Sequence, residues 1–123
     1  MTEIFLYNII GKKAIDIKNI CRALNIGYRE IDKADYGYKL GYLLGLFDDS
    51  TKGESGVFDS EMLYLVGFSD GLLNIFLKSL RSKKCTVAPK AVMTETNVNY
   101  TSTELYNEIS AEHRAIEATQ SSP

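Results

Sequence analysis

The sequence predicts an α/β (α+β) domain: a single four-stranded sheet built from two β-α-β halves, with a C-terminal helix added. Three observations predict it. The run Met62-Leu-Tyr-Leu-Val66 is apolar without a break, as in a strand buried on both faces. Ser69-Asp70 then opens a helical pattern whose apolar residues Leu72, Leu73, Phe76, Leu77 and Leu80 fall three and four apart. The same strand-helix-strand order is legible, with weaker signals, in the first thirty residues.

From the start, Ile4 to Tyr7 is a short apolar run suited to a central strand. A turn is expected at Gly11-Lys12-Lys13, then a helix over 14–24 with Ile17, Ile20, Cys21 and Leu24 on its inner face, stopped by Asn25 and Gly27. Residues 26–31 mix apolar and charged side chains, the pattern of an edge strand. Gly37, Gly41 and Gly45 recur every fourth residue, so a helix there would carry a flat stripe open to a second backbone. Three interior glycines cost such a helix roughly 2–3 kcal/mol against alanine. Residues 48–60 are expected to form a flexible acidic loop.

In the second half, Ser69 is a natural N-cap, Asp70 complements the helix dipole, and Phe68 with Leu73 fits a hydrophobic staple. Pro89 cannot donate to a ladder, so the strand over 89–94 belongs at an edge or begins there. Thr101-Ser-Thr-Glu104 spells a capping box, with Tyr100 and Leu105 as a second staple. Leu105, Ile109 and Ile116 continue the inner face of the last helix. The domain is expected over 1–118, with 119–123 a disordered tail.

Two sheets satisfy central strands one and three and edge strands two and four. A ferredoxin-like antiparallel sheet is preferred; the alternative is a small flavodoxin-like parallel sheet of order 2-1-3-4.

At 123 residues the chain can bury a core without disulfides or a metal. A net charge of −2 offers no basic footprint, so no nucleic-acid partner is expected. The charge is uneven: Asp48, Asp49, Glu54, Asp59 and Glu61 face one lysine over 48–61, while Arg81, Lys83 and Lys84 cluster after the second long helix. No apolar run approaches the ~20 residues of a membrane span, no signal-peptide pattern opens the chain, and two cysteines suit reduced thiols. A cytoplasmic protein without membrane contact is expected.

No phosphate-binding glycine loop, nucleophile elbow or paired metal motif is present, so no catalytic residue, cofactor or metal is assigned. Cys21 and Cys85 lack a CxxC partner. His113, the one histidine, falls on the apolar side of the last helix, and Glu108 and Glu112 with it make only a weak ligand set. The candidate binding residues are Lys90, Thr94, Thr96 and Asn97, which flank a strand end leading into a capped helix, together with Ser69 and Asp70. A strand end feeding a helix N-terminus presents N–H groups that favour a small anion. In a parallel sheet Asn8, Ser69 and Asp70 would share that edge; in an antiparallel one they would not.

The segments Glu61-Met-Leu-Tyr-Leu-Val-Gly-Phe-Ser-Asp and Lys90-Ala-Val-Met-Thr-Glu-Thr-Asn, with Tyr100-Thr101 and Glu112-His113, resemble a bacterial family known as a domain of unknown function. The resemblance spans residues 61–113 and is faint before them. Tyr100 stands where that pattern often has tryptophan, and Glu95 where it often has proline. The resemblance implies a small bacterial protein and carries no catalytic residues. The function expected is a non-enzymatic binding or regulatory module that self-associates through a sheet edge or the Gly37–Gly45 segment. The alternative is a small anion-binding protein or enzyme using the segment 90–97.

Overall fold

A computed structural model describes residues 1–54 and 56–120, with side chains of the last helix described as far as Ala111. Its strands are β1 (Glu3–Tyr7), β2 (Gly27–Glu30), β3 (Met62–Val66) and β4 (Lys90–Val92). The helices are α1 (Gly11–Ala23), α2 (Leu40–Leu43), α3 (Asp70–Ser82) and α4 (Ser102–Gln120). The chain forms two compact units: Met1–Ile31 with Ser60–Met93, and Asp32–Asp59 with Thr94–Pro123.

The first unit holds the whole sheet, in the order β2-β1-β3-β4. Strands β1 and β3 are central and β2 and β4 are edges, as their apolar content predicts. β1 pairs with β2 in parallel and β3 with β4 in parallel, while β1 and β3 run antiparallel. The sheet is therefore mixed. The order is that of the parallel alternative, but neither the antiparallel ferredoxin-like sheet nor an all-parallel sheet describes it. Each half returns through its own helix, which makes its two strands neighbours and parallel. The long connection over 31–61 then delivers β3 in the opposite sense.

One face of the sheet, through Ile4, Leu6, Leu63 and Leu65, packs with Ile17, Ile20 and Cys21 of α1 and Phe76 and Leu80 of α3. The other face carries Phe5, Tyr7, Met62 and Tyr64, which are also buried. This is why both central strands read as continuous apolar runs. Paired across the centre, Phe5 and Tyr64 have ring centroids 6.0 Å apart.

Both long helices of this unit end in the same motif. In α1 the N–H of Ile26 donates to Cys21 O (2.8 Å) and that of Asn25 to Arg22 O (3.3 Å). In α3 Cys85 donates to Leu80 O (2.9 Å) and Lys84 to Arg81 O (3.1 Å). These are Schellman closures, with Asn25 (φ 58°) and Lys84 (φ 55°) in the left-handed position that glycine usually takes. The helix starts differ. Ser69 Oγ accepts from Leu72 N (3.2 Å), the N-cap predicted for α3. α1 starts at Gly11 (φ 65°), so Gly11-Lys12-Lys13 is its first turn and not a separate one.

In the second unit, residues 36–46 form only the four-residue α2, preceded by a 3₁₀ turn at Lys33–Asp35. The expected glycine stripe is dismantled locally. A Cβ on Gly37 would lie 2.5 Å from Gly53 O, and one on Gly41 2.3 Å from the Phe47 ring, while Gly45 sits at φ 78°. The space that a partner backbone would need is used by the chain itself at Gly37 and Gly41. The acidic segment is anchored by Phe58, 7% exposed, whose ring stacks on Tyr36 (4.7 Å) and Tyr106 (4.2 Å). Asp49 pairs with Lys39 (2.8 Å), and Asp59 pairs with Lys33. Residues 121–123 of the expected tail, and the side chains of Glu112, His113 and Ile116, lie outside the described residues; the helical backbone itself runs to Gln120.

Candidate functional site

The six predicted binding residues are divided between the two units. Ser69, Asp70 and Lys90 belong to the first; Thr94, Thr96 and Asn97 belong to the second. The crevice imagined for Asn8, Ser69 and Asp70 does not form. Because Tyr7 faces Met62 and Glu3 faces Val66, the ends of β1 and β3 lie at opposite edges. Asn8 Nδ2 accordingly donates to Ser60 O (2.9 Å), while Thr2 Oγ1 donates to Gly67 O (3.0 Å) at the far edge. Ser69 and Asp70 are exposed and serve the start of α3.

Lys90 opens β4, directly after Pro89, and its ammonium donates to Val87 O (2.6 Å). Partial burial, then the nearby cations Arg81 and Lys13, hold its pKa below the ordinary lysine value. It is an edge lysine folded back on its own backbone.

The Thr94–Asn97 turn is closed by two reciprocal hydrogen bonds. Thr94 N donates to Asn97 Oδ1 (2.9 Å), and Asn97 N donates to Thr94 Oγ1 (3.0 Å). Such side-chain-to-backbone closure is the usual work of Asn and Thr in turns. It buries Asn97 and leads through a 3₁₀ turn at Asn97–Asn99 into α4. There the predicted capping box forms: Glu104 N donates to Thr101 Oγ1 (3.1 Å), and Thr101 N to Glu104 Oε1 (2.9 Å). The Glu104 carboxylate thus already meets the positive end of α4, the position an incoming anion would have taken.

The turn and the helix enclose a cleft of about 220 Å³ lined by Thr94, Thr96, Asn97, Tyr100, Leu105, Glu108 and Ile109. Three predicted residues line it together. Tyr100, Leu105, Glu108 and Ile109 were not predicted as site residues, although the sequence pairs Tyr100 with Leu105 as a staple and puts Ile109 on the same helical face as Leu105. Their shared face was the available signal. The walls combine hydroxyl and amide groups, an apolar strip from Leu105 and Ile109, and one acidic side chain.

A second cavity, about 250 Å³, lies within the first unit, lined by Ile20 and Ala23 of α1 and its cap Leu24, and by Ser79 and Ser82 of α3 and its cap Lys83. Neither cysteine has thiolate character. Burial pushes the Cys21 thiol up to about 12 and raises that of Cys85. Both are free and buried. Among the described residues, no group of three or more His, Cys, Asp or Glu is placed to hold a metal ion, and no helix is long and apolar enough to cross a membrane.

Comparison with curated proteins and with solved structures finds no match. The family resemblance is borne out: residues 61–116, from the start of β3 into α4, match the family model of a domain of unknown function, DUF3783.

Proposed function

We propose that this chain is a non-enzymatic binding module whose ligand surface is the cleft of the second unit, and that its ligand is a small amine-bearing molecule with a short apolar part. The composition of the cleft wall carries this reading: Glu108 stands beside Leu105 and Ile109, facing the Thr94–Asn97 turn. A carboxylate with an adjacent apolar strip complements an alkylammonium group, and threonine hydroxyls can add neutral hydrogen bonds. The charge of the unit supports the same sign. Residues 32–59 and 94–123 contain four Lys and Arg against eleven Asp and Glu, a net charge of −7 counting His as neutral. With Glu104 already at the helix start, an anion would meet repulsion there. Two buried free thiols fit a reducing compartment such as a bacterial cytoplasm.

The small-anion alternative retains one observation in its favour. Lys13 and Arg81 stand close enough to Lys90 to lower its pKa, so positive charge gathers at the start of β4. Titrations with n-butylamine and with inorganic phosphate, followed by backbone amide shifts, separate the readings. The amine should move amides between Thr94 and Ile109 and phosphate should not. Phosphate shifts centred on Lys90, with no response to the amine, would replace the proposal by the anion reading.

A further inference from the structure

We propose that the groove between α1 and α3 is a self-association surface that receives the acidic segment of a second copy of this chain, whose exposed Leu46, Asp48, Glu54 and Val57 would form the docking edge. The inference goes beyond small-molecule binding and rests on a different part of the protein.

The formal net charge of −2 conceals a strong partition. Residues 1–31 and 60–93, the first unit, contain ten Lys and Arg against five Asp and Glu, a net charge of +5, opposite the −7 of the second. In the first unit Lys12, Lys13 and Lys18 are paired with Asp16, Glu61 and Glu30. Among the described residues, Lys83 and Lys84 pair with no carboxylate. Lys83 lines the groove, and Lys84 follows it at the end of α3. Arg22, next to lining residue Ala23, is tethered to Asn19 and to the Tyr28 hydroxyl, with its guanidinium 5.6 Å from the centre of the Tyr28 ring. The floor is apolar: Ile20, Ala23 and Leu24. An apolar floor with Lys83 on its wall, and Arg22 and Lys84 next in sequence to lining residues, calls for an acidic partner with exposed apolar side chains.

The chain carries that partner. Leu46 and Val57 are 59% and 57% exposed, two large apolar side chains within an acidic stretch. Asp49 and Asp59 are already tied to Lys39 and Lys33, while among the described residues Asp48 and Glu54 have no partner. Between copies, a net charge of only −2 gives little long-range repulsion against local attraction. The sheet edges are poorer candidates. β2 has four residues, including Arg29 and Glu30, and β4 has three, starting with Lys90; short charged edges discourage strand pairing. A groove-to-edge contact joins two different surfaces, so it either closes as a reciprocal pair or runs on head to tail.

Sedimentation velocity of the full chain over a concentration series at about 20 mM and about 500 mM NaCl tests the proposal, because such salt screens surface charge over very different distances. The sedimentation coefficient should rise with concentration at low salt and return to the monomer value at high salt. Ala23→Glu places a carboxylate in the groove at an exposed helix position; Lys83→Glu does so by a second route. Leu46→Ser with Val57→Ser strips the complementary edge. Each variant should be monomeric at low salt with an unchanged circular dichroism spectrum. Mixing the groove variant with the edge variant should restore association, since one intact groove then meets one intact edge. A monomer at low salt and every concentration overturns the proposal, as does association that survives both groove variants or that the mixed variants fail to restore.

Discussion

Replacing Phe58 by alanine removes the middle ring of a three-ring stack, and its cost can be worked out from the structure. The ring is 7% exposed, 4.2 Å from Tyr106 at an interplanar angle of 4°, and 4.7 Å from Tyr36 at 27°. Truncating a buried phenylalanine costs about 3–5 kcal/mol, transfer and cavity terms together. Each of the two lost aromatic pairs accounts for roughly 0.5–1.5 kcal/mol beyond area burial, so Phe58→Leu, which keeps much of the apolar volume, should cost about 1–3 kcal/mol. The lower half of the alanine range applies, ~3 kcal/mol, because the ring rests on a surface segment that can partly collapse. At a urea dependence of ~1.5 kcal/mol/M, that is a midpoint shift of about 2 M. The chain has no tryptophan and eight tyrosines, so tyrosine fluorescence, summed over all eight, follows global unfolding and gives the midpoint. A midpoint shift below about 0.5 M for Phe58→Ala would refute the reasoning: the acidic segment would not be held by this ring.

Three further outcomes follow from local geometry. Thr101→Ala removes the hydroxyl that accepts from Glu104 N and should cost ~1 kcal/mol; an unchanged denaturation midpoint would mean α4 does not depend on this cap. Lys84→Gly relieves a left-handed side-chain-bearing residue (φ 55°) and should stabilise by up to ~1 kcal/mol, since left-handed strain of about 1–2 kcal/mol outweighs glycine's added chain entropy; a loss of stability would contradict the assigned closure of α3. Cys21, whose pKa burial raises to about 12, should alkylate far more slowly than in denaturant at neutral pH. Its folded pKa lies above the unfolded value, so its contribution to stability is complete below about pH 9 and declines from there to about pH 12. Rapid labelling of the folded thiol, or stability flat across that window, would remove the argument.

Much of the fold was legible because its signals are local. Ser69 caps α3, Thr101 and Glu104 cap α4 reciprocally, and Met62–Val66 is apolar on both faces because both faces are buried. Strand direction was not legible. It depends on the connection over 31–61, whose described residues contain only a 3₁₀ turn and one four-residue helix and thus little periodicity to read. The start of α1 was missed because two lysines in a first turn oppose the dipole rule; Lys12 is met by Asp16 and Lys13 by Glu61. Phe58 was hidden by its acidic neighbours, and its partners lie far away in sequence. At the candidate site, Thr94 and Asn97 stand out in the sequence within a polar cluster with Lys90 and Thr96, but their reciprocal hydrogen bonds close a turn. Glu108, which lines the cleft beside Thr94 and Thr96, was read only as a weak metal ligand, because nothing in the sequence relates it to those two residues.

The central claim, that the cleft of the second unit binds an amine through Glu108, is tested most directly by titrating n-butylamine into the natural chain and into Glu108→Gln under identical conditions, following amides 94–109. An exposed carboxylate–ammonium pair contributes about 0.5–1 kcal/mol, so the account predicts saturable shifts in the natural chain and an affinity two- to five-fold weaker in Glu108→Gln, with the same amides responding. Equal affinities, or no saturable response in either protein, would contradict it.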